Sequence, residues 1–354
     1  MFAYSAIRRV HMELTTRCNA ACPMCSRNER GGQKISDLPE VELTLADVRQ
    51  ILPPDLIAQL TQVWLCGNYG DPILAREMLE TVVYLKANNP RIRIGMNTNG
   101  SARRPEWWRQ LAPYVDDCHF GIDGLADTNH LYRRRTHWDT IMANATAFIE
   151  AGGAAHWEYI VFQHNEHQIE EARALAGCMG FRKFRLRKTG RFFFSGILQP
   201  ALSVKDRHGN EAYKIEPPKS SNFSNTASLA LGGLAQLDKY KNYMDETCIT
   251  CKSQKQQEIY ISAEGLVFPC CYLASFYRGA GRKQDSQFMK MIERLGGRDI
   301  INGRVRGVSA IISDDLFQKV IPGSWSHQSV ADGRLATCSS ACGALSPTKG
   351  QYTT

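Results

Sequence analysis

Three cysteines stand close together in Arg17-Cys18-Asn19-Ala20-Ala21-Cys22-Pro23-Met24-Cys25-Ser26-Arg27, at the spacing C-x3-C-x2-C. Thiolates so near in sequence, separated by a proline and small residues, can wrap a loop around one metal centre. They supply one ligand too few for a closed tetrahedral set, so an iron held this way keeps an open coordination position. A second group lies towards the other end of the chain: Cys248 and Cys251, Cys270 and Cys271, Cys338 and Cys342. Of the twelve cysteines, Cys66, Cys118 and Cys178 remain, and they fall in apolar strand or helix patterns where a buried core thiol is the ordinary meaning.

The elements that must position the first loop begin at once. Val10-His11-Met12-Glu13-Leu14 alternates apolar and polar residues as a half-buried strand does, and it runs directly into the cysteines. Thr44 caps a helical stretch that ends near Pro53-Pro54. A second strand, 63–66, leads into Gly67-Asn68-Tyr69-Gly70-Asp71-Pro72, where glycine lets backbone approach a ligand and a carboxylate can accept from an ammonium group. By chemistry alone this segment also reads as an ordinary turn.

The pattern then repeats as helix and strand: helix 74–88, strand 92–98, helix 107–114, strand 115–123, helix 138–150, strand 157–162, helix 166–179 and strand 184–187. Six strands alternating with helices predict an α/β fold with a parallel sheet that closes as an open or partial barrel. Ligand sites in such folds lie at the C-terminal ends of the strands, where each motif named above falls.

With the cysteine loop after the first strand and Gly70-Asp71-Pro72 after the second, the chain resembles the radical S-adenosylmethionine (SAM) enzymes. The resemblance covers residues 1–189 and implies a partial (β/α)6 TIM-like barrel. It further implies that Cys18, Cys22 and Cys25 hold a 4Fe-4S cluster whose free iron chelates SAM. Gly70 and Asp71 would hold the methionine amino group, Asn97 and Asn99 would approach SAM from the third strand, and Asp123 would meet the ribose. In His130-Leu131-Tyr132-Arg133-Arg134-Arg135-Thr136, Arg133 and Arg134 are rival partners for the SAM carboxylate, with a solvated basic turn as the plain alternative. Val161 would meet the adenine. Met24 departs from the aromatic residue often found before the third cysteine, and methionine is flexible enough to fill that space.

Residues 190–246 lose this periodicity. Segment 217–225 reads as a mobile linker, Arg191-Phe192-Phe193-Phe194 as packing on the barrel rim, and the whole as a substrate-side segment. From 247 to 354 follow Cys248-Ile249-Thr250-Cys251, a hairpin turning at Ala263-Glu264-Gly265, Pro269-Cys270-Cys271 and Cys338-Ser339-Ser340-Ala341-Cys342. This resembles the twitch and SPASM extensions, which implies one auxiliary 4Fe-4S cluster on Cys251, Cys270, Cys338 and Cys342, with Cys248 and Cys271 as alternates. The residues alone equally describe a zinc ribbon.

Composition bounds the rest. The 354 residues suffice for a large domain and a smaller one. No apolar run is long enough to span a membrane, and the N-terminus lacks a secretory signal, so a reducing cytoplasm is expected. A net charge of +8 is scattered rather than gathered, which makes nucleic-acid binding the lesser expectation. The resemblance implies an oxidoreductase or modifying enzyme that draws electrons from a flavodoxin or ferredoxin. Its substrate would be a peptide or protein, or alternatively a small anionic metabolite or nucleotide. The competing class is a non-catalytic iron-sulfur or zinc protein that binds nucleic acid. Only a few residues precede the first strand, so a leader-peptide recognition domain is not expected in this chain.

Overall fold

In the first strand, Arg9–Met12 (β1), Val10 and Met12 are fully buried while Arg9 and His11 keep part of their surface, as the alternation predicts. The computed structural model describes residues 1, 3–194, 197–234, 237–277 and 287–346. Five further parallel strands follow in order: Gln62–Leu65 (β2), Arg93–Thr98 (β3), Asp117–Gly121 (β4), Ala155–Ile160 (β5) and Lys183–Arg187 (β6). Each pairs with its predecessor. The connecting helices are placed by local signals. Thr44 and Asp47 form a reciprocal capping box at the start of helix Leu45–Ile51, and helix Trp138–Glu150 buries Ile141, Ala145 and Phe148 on one side. One face of the sheet thereby becomes the core: Val63, Leu65, Ile94, Met96, Phe120, Trp157 and Tyr159 pack with helix residues such as Trp108 and Phe148.

Between β6 and the hairpin the chain is more ordered than its sequence implies. Phe193–Phe194 (β7) pairs with Ile197–Leu198 (β8), and Leu202–Lys205 (β9) pairs with Glu211–Ile215 (β10). Segment 217–225, expected as a mobile linker, is folded down by side-chain caps. Ser220 accepts from Asn222 N, while buried Asn225 accepts from Ser228 N at 3.0 Å and donates to the Lys188 carbonyl at 3.1 Å. A polar, Pro- and Ser-rich composition predicted mobility, but the same residues are the best cappers.

The hairpin strands Glu258–Ile261 (β11) and Val267–Phe268 (β12) complete one sheet of eight strands, in the order β12-β11-β1-β2-β3-β4-β5-β6. β11 lies parallel to β1, with Arg9 opposite Glu258 and His11 opposite Tyr260, and only β12 is antiparallel. Ile259, Ile261 and Val267 share the apolar core of the barrel strands. The sheet stays open because β6 and β12, at its two ends, do not pair. The fold is α/β, a mostly parallel, partial barrel.

Candidate active site

The cysteine loop leaves β1 and is tied down by its own backbone and by the segment after β4. Cys25 N donates to the Cys22 carbonyl at 3.0 Å, and Ala21 N to the Arg134 carbonyl at 2.9 Å. The three thiols share one enclosed space. Burial first, then Asp71, Cys22 and Cys25, push the Cys18 thiol up, and burial raises Cys22 to about 11 against the pull of the Arg133 guanidinium. Three thiols in one cluster suit a cationic centre that would hold them as thiolates.

Around them the strand ends converge. Asn99, after β3, directs its amide at Cys18 Sγ (3.7 Å) and at Asn19 Oδ1 (2.9 Å). Asp123, fully buried after β4, accepts from Arg133 Nε at 2.6 Å and from Ile160 N at 2.5 Å. The same guanidinium reaches Cys22 Sγ at 3.9 Å. It can do so because β4 carries Gly121, where a Cβ would stand 2.3 Å from Arg133 Nη2. Arg134 points elsewhere: its Nη1 donates to the carbonyls of Gly31 and Lys205, and it lies over the Tyr213 ring. Of the two rivals, only Arg133 faces the cysteines.

Other residues singled out from sequence have different surroundings. Asp71 turns inward, accepting from Asn99 N (2.8 Å), Thr98 Oγ1 (3.2 Å) and Ile73 N (3.3 Å), and burial raises its carboxyl to about 6. Asn97 donates to Cys66 Sγ at 3.3 Å. Val161 is buried, with its N–H on the Arg187 carbonyl. Met24 is half-buried, and its carbonyl accepts from Arg191 at 3.1 Å. Here the rim expectation for Phe192 acquires detail: it is buried against Phe162, in a cluster that includes Cys22 and Val204. Cys66 lies on the concave side rather than in the apolar core, and Cys178 is exposed; Cys118 is fully buried, as read.

Sequence reasoning missed Glu13. It sits on β1's inward side, 2% exposed, and accepts from Tyr69 N (2.8 Å), Gly70 N (2.9 Å) and Tyr260 Oη (2.8 Å). One carboxylate thus joins the Gly67–Gly70 loop to the C-terminal hairpin. Burial raises its pKa, and the backbone N–H groups and the phenol oppose that rise. The signal available in sequence was an acidic residue in an otherwise apolar strand end. Asn165 was also missed; fully buried, it donates to the Asp123 and Ile160 carbonyls, both at 3.0 Å, and so holds the end of β4.

At the second group, Cys251, Cys270, Cys338 and Cys342 lie near enough for charge on one thiol to act on the others. Burial raises Cys270 to about 12, with Cys251 and Cys342 adding to it, and Cys338 is pushed up by burial and then by Cys270, Cys342 and Cys251. Cys271, raised by burial and Cys270, also senses Cys66 and so faces the barrel, while Cys248 is exposed. Thr250 N donates to the Cys342 carbonyl at 3.1 Å, and buried Arg334 binds the carbonyls of Thr247 and Trp325 and the Ser339 hydroxyl. Among the described residues, the group of metal-ligand types with donor atoms all within 4.8 Å of one another is Asp117, His119 and His156.

An open, mostly parallel sheet with a three-cysteine loop at the end of its first strand defines the class to which these features belong. Residues 12–176, just under half of the chain, match the family model described as Radical SAM superfamily. Similar solved structures extend the likeness of fold beyond it. Streptococcus suis SuiB bound to S-adenosylmethionine is 15% identical, with a TM-score of 0.51 over 94% of this chain and 77% of that one. SuiB bound to precursor peptide SuiA is 13% identical, with a TM-score of 0.52 over 94% and 76%. Native anSMEcpe with bound AdoMet is 12% identical, with a TM-score of 0.53 over 94% and 89%. No curated protein matches the chain in sequence. No helix among the described residues is long and apolar enough to cross a membrane.

Proposed function

We propose that this protein cleaves SAM reductively and uses the resulting radical to modify a peptide or protein. The observation that carries this reading is the convergence of Cys18, Cys22 and Cys25 with Asn99 and the Asp123–Arg133 pair at one end of the sheet. A 4Fe-4S cluster on the three cysteines would supply one electron to SAM, releasing methionine and a 5′-deoxyadenosyl radical that abstracts hydrogen from the substrate. The chain's own residues bind and orient. Arg133 offers its guanidinium to the SAM carboxylate, and Asp123 fixes that guanidinium by accepting from its Nε. Asn99 and the backbone of Gly70 and Asp71 border the methionine end, and Phe162 and Phe192 exclude water from the cysteine loop.

The peptide reading is supported by the fold likeness to SuiB, described with a bound precursor peptide. We further propose that Cys251, Cys270, Cys338 and Cys342 would hold an auxiliary 4Fe-4S cluster able to accept one electron from the substrate radical, giving a net oxidised product. Four thiols would leave no open iron there.

Anaerobic reconstitution followed by reduction with dithionite tests the first claim. The expected result is 5′-deoxyadenosine from SAM, lost in Cys22→Ala; absence of product from the reconstituted wild type overturns it. Iron analysis tests the second: about eight irons per chain are expected for two clusters, whereas about four with one zinc refute the auxiliary cluster and leave the first claim intact.

A further inference from the structure

The turn between β6 and β7 lies against the cysteine loop. Phe192 anchors it: the ring is buried, meets Phe162 edge-on at 6.2 Å, and belongs to the apolar cluster that contains Cys22, with Cys18, Met24 and Cys25 packed against it. The backbone on both sides is held, since Arg191 N donates to Thr189 Oγ1 at 3.2 Å and Gln199 N to the Phe192 carbonyl at 2.8 Å. From this anchored turn Arg191 reaches back to the loop. Its Nη1 donates to the carbonyl of Met24, which stands between the second and third cysteines, at 3.1 Å, and to Tyr132 Oη at 3.3 Å. Tyr132 is 1% exposed and packs on Phe162 at 4.6 Å, so both acceptors are fixed points of the cysteine cluster.

The other cations around the loop are offset or turned away. Arg133 pairs with Asp123 at 2.6 Å, Arg27 with Glu40 at 3.2 Å and Arg17 with Glu42 at 3.4 Å. Arg134 is directed to the carbonyls of Gly31 and Lys205. Asp71 adds negative charge beside Cys18. Among the described residues no carboxylate pairs with Arg191, and its charge acts on Cys25 and Cys22.

We propose that Arg191 is a positioning residue for the cluster on Cys18, Cys22 and Cys25: it clasps the loop at Met24 and, with a positive charge that no carboxylate offsets, raises the cluster's reduction potential. This rests on the reading of the cysteine loop as a cluster site. One-electron reduction adds a negative charge at the loop, and a guanidinium held beside it favours the reduced form by Coulombic attraction. Two hydrogen bonds keep the charge at a set distance, and the apolar side chains of Phe162 and Phe192 limit its screening there. A donor of given potential then delivers the electron needed for SAM cleavage more readily.

The test is a redox titration of the reconstituted full chain, at low salt and without SAM, with dithionite as reductant. The reduced cluster is read by electron paramagnetic resonance, and the loop's signal is the one that Cys22→Ala lacks. Arg191→Lys, Arg191→Gln and Arg191→Glu form a series in charge, with iron per chain and melting temperature checking loading and fold. At the wild-type midpoint the reduced-to-oxidised ratio is expected to fall at least about threefold in Arg191→Gln, a midpoint lower by about 28 mV at about 59 mV per tenfold for one electron. It should fall further in Arg191→Glu and stay close to the wild type in Arg191→Lys, and raised ionic strength should narrow the differences. If one variant does not load, the other two still give the order. Midpoints that do not follow charge, whether unchanged throughout or lowered equally in the lysine and glutamine variants, overturn the inference. A wild type with no loop signal refutes the cluster reading and this inference with it. A charge-ordered signal without SAM cleavage refutes the catalytic reading alone, and SAM cleavage with no charge order refutes this inference alone.

Discussion

A single buried carboxylate, Glu13, connects the Gly67–Gly70 loop to the C-terminal hairpin through three hydrogen bonds. Removing it in Glu13→Ala orphans two backbone donors and a phenol, each worth about 1 kcal/mol or more when buried. Urea unfolding should show a loss of about 3 kcal/mol in that variant, and a much smaller one in Glu13→Gln, whose oxygen can still accept. His11 provides the pH counterpart. Burial lowers its pKa to about 4 from the usual 6.5, while its Nε2 stays 2.7 Å from the Cys66 carbonyl. Because the folded state prefers the neutral ring, stability is complete above pH 6.5 and falls as pH drops towards 4, by about 3 kcal/mol in all. His11→Gln should flatten that part of the profile; an unchanged difference in urea midpoint between pH 7 and pH 4.5 counts against it. At this scale the cysteine spacing was legible because ligation is local. The choice between Arg133 and Arg134 was not: the two share chemistry and address, and only the direction of each side chain separates them.

Among the elements, the loop from Gly67 to Asp71 has the least room for change. A Cβ at Gly70 would stand 1.7 Å from the Thr15 carbonyl oxygen, and one at Gly67 2.3 Å from Glu13 Oε1. Gly70→Ala is therefore expected to displace the loop after β1. Soluble protein should bind SAM at least about tenfold more weakly in equilibrium titration, since a backbone shift of the contacting loop breaks several bonds at once. The six strand and helix alternations were readable from periodicity, and the caps at Thr44 and the glycine stop after helix 138–150 from single residue types. The hairpins of 193–215 were not, because their pairing depends on docking against the cysteine loop, where Val204 and Ile215 find their apolar partners. Short strands have too little local pattern to announce themselves.

Over the whole molecule, β11 joins the barrel strands into one sheet, and Tyr260 reaches back to Glu13. A division into 1–189, 190–246 and 247–354 remains our proposal for the chain's organisation by function, yet the sheet crosses its last boundary. A fragment ending at residue 246 would expose the inner edge of β1 and the apolar partners of Ile259, Ile261 and Val267. It should be recovered insoluble, or with a cooperative melt well below that of the full chain; a fragment as stable as the full chain would show that the hairpin adds nothing to the barrel.

The sequence by itself determined what depends on neighbours in the chain: the C-x3-C-x2-C loop at a strand's end, the α/β alternation and the caps. It also presented six C-terminal cysteines, of which the resemblance implies Cys251, Cys270, Cys338 and Cys342 as one ligand set, with Cys248 and Cys271 as alternates. Tertiary structure alone decided the orientation of Arg133, the docking of the hairpin on β1 and the polar concave wall. Each of these rests on partners far apart in sequence, brought together by a sheet whose one face is buried in helices and whose other face is left for chemistry.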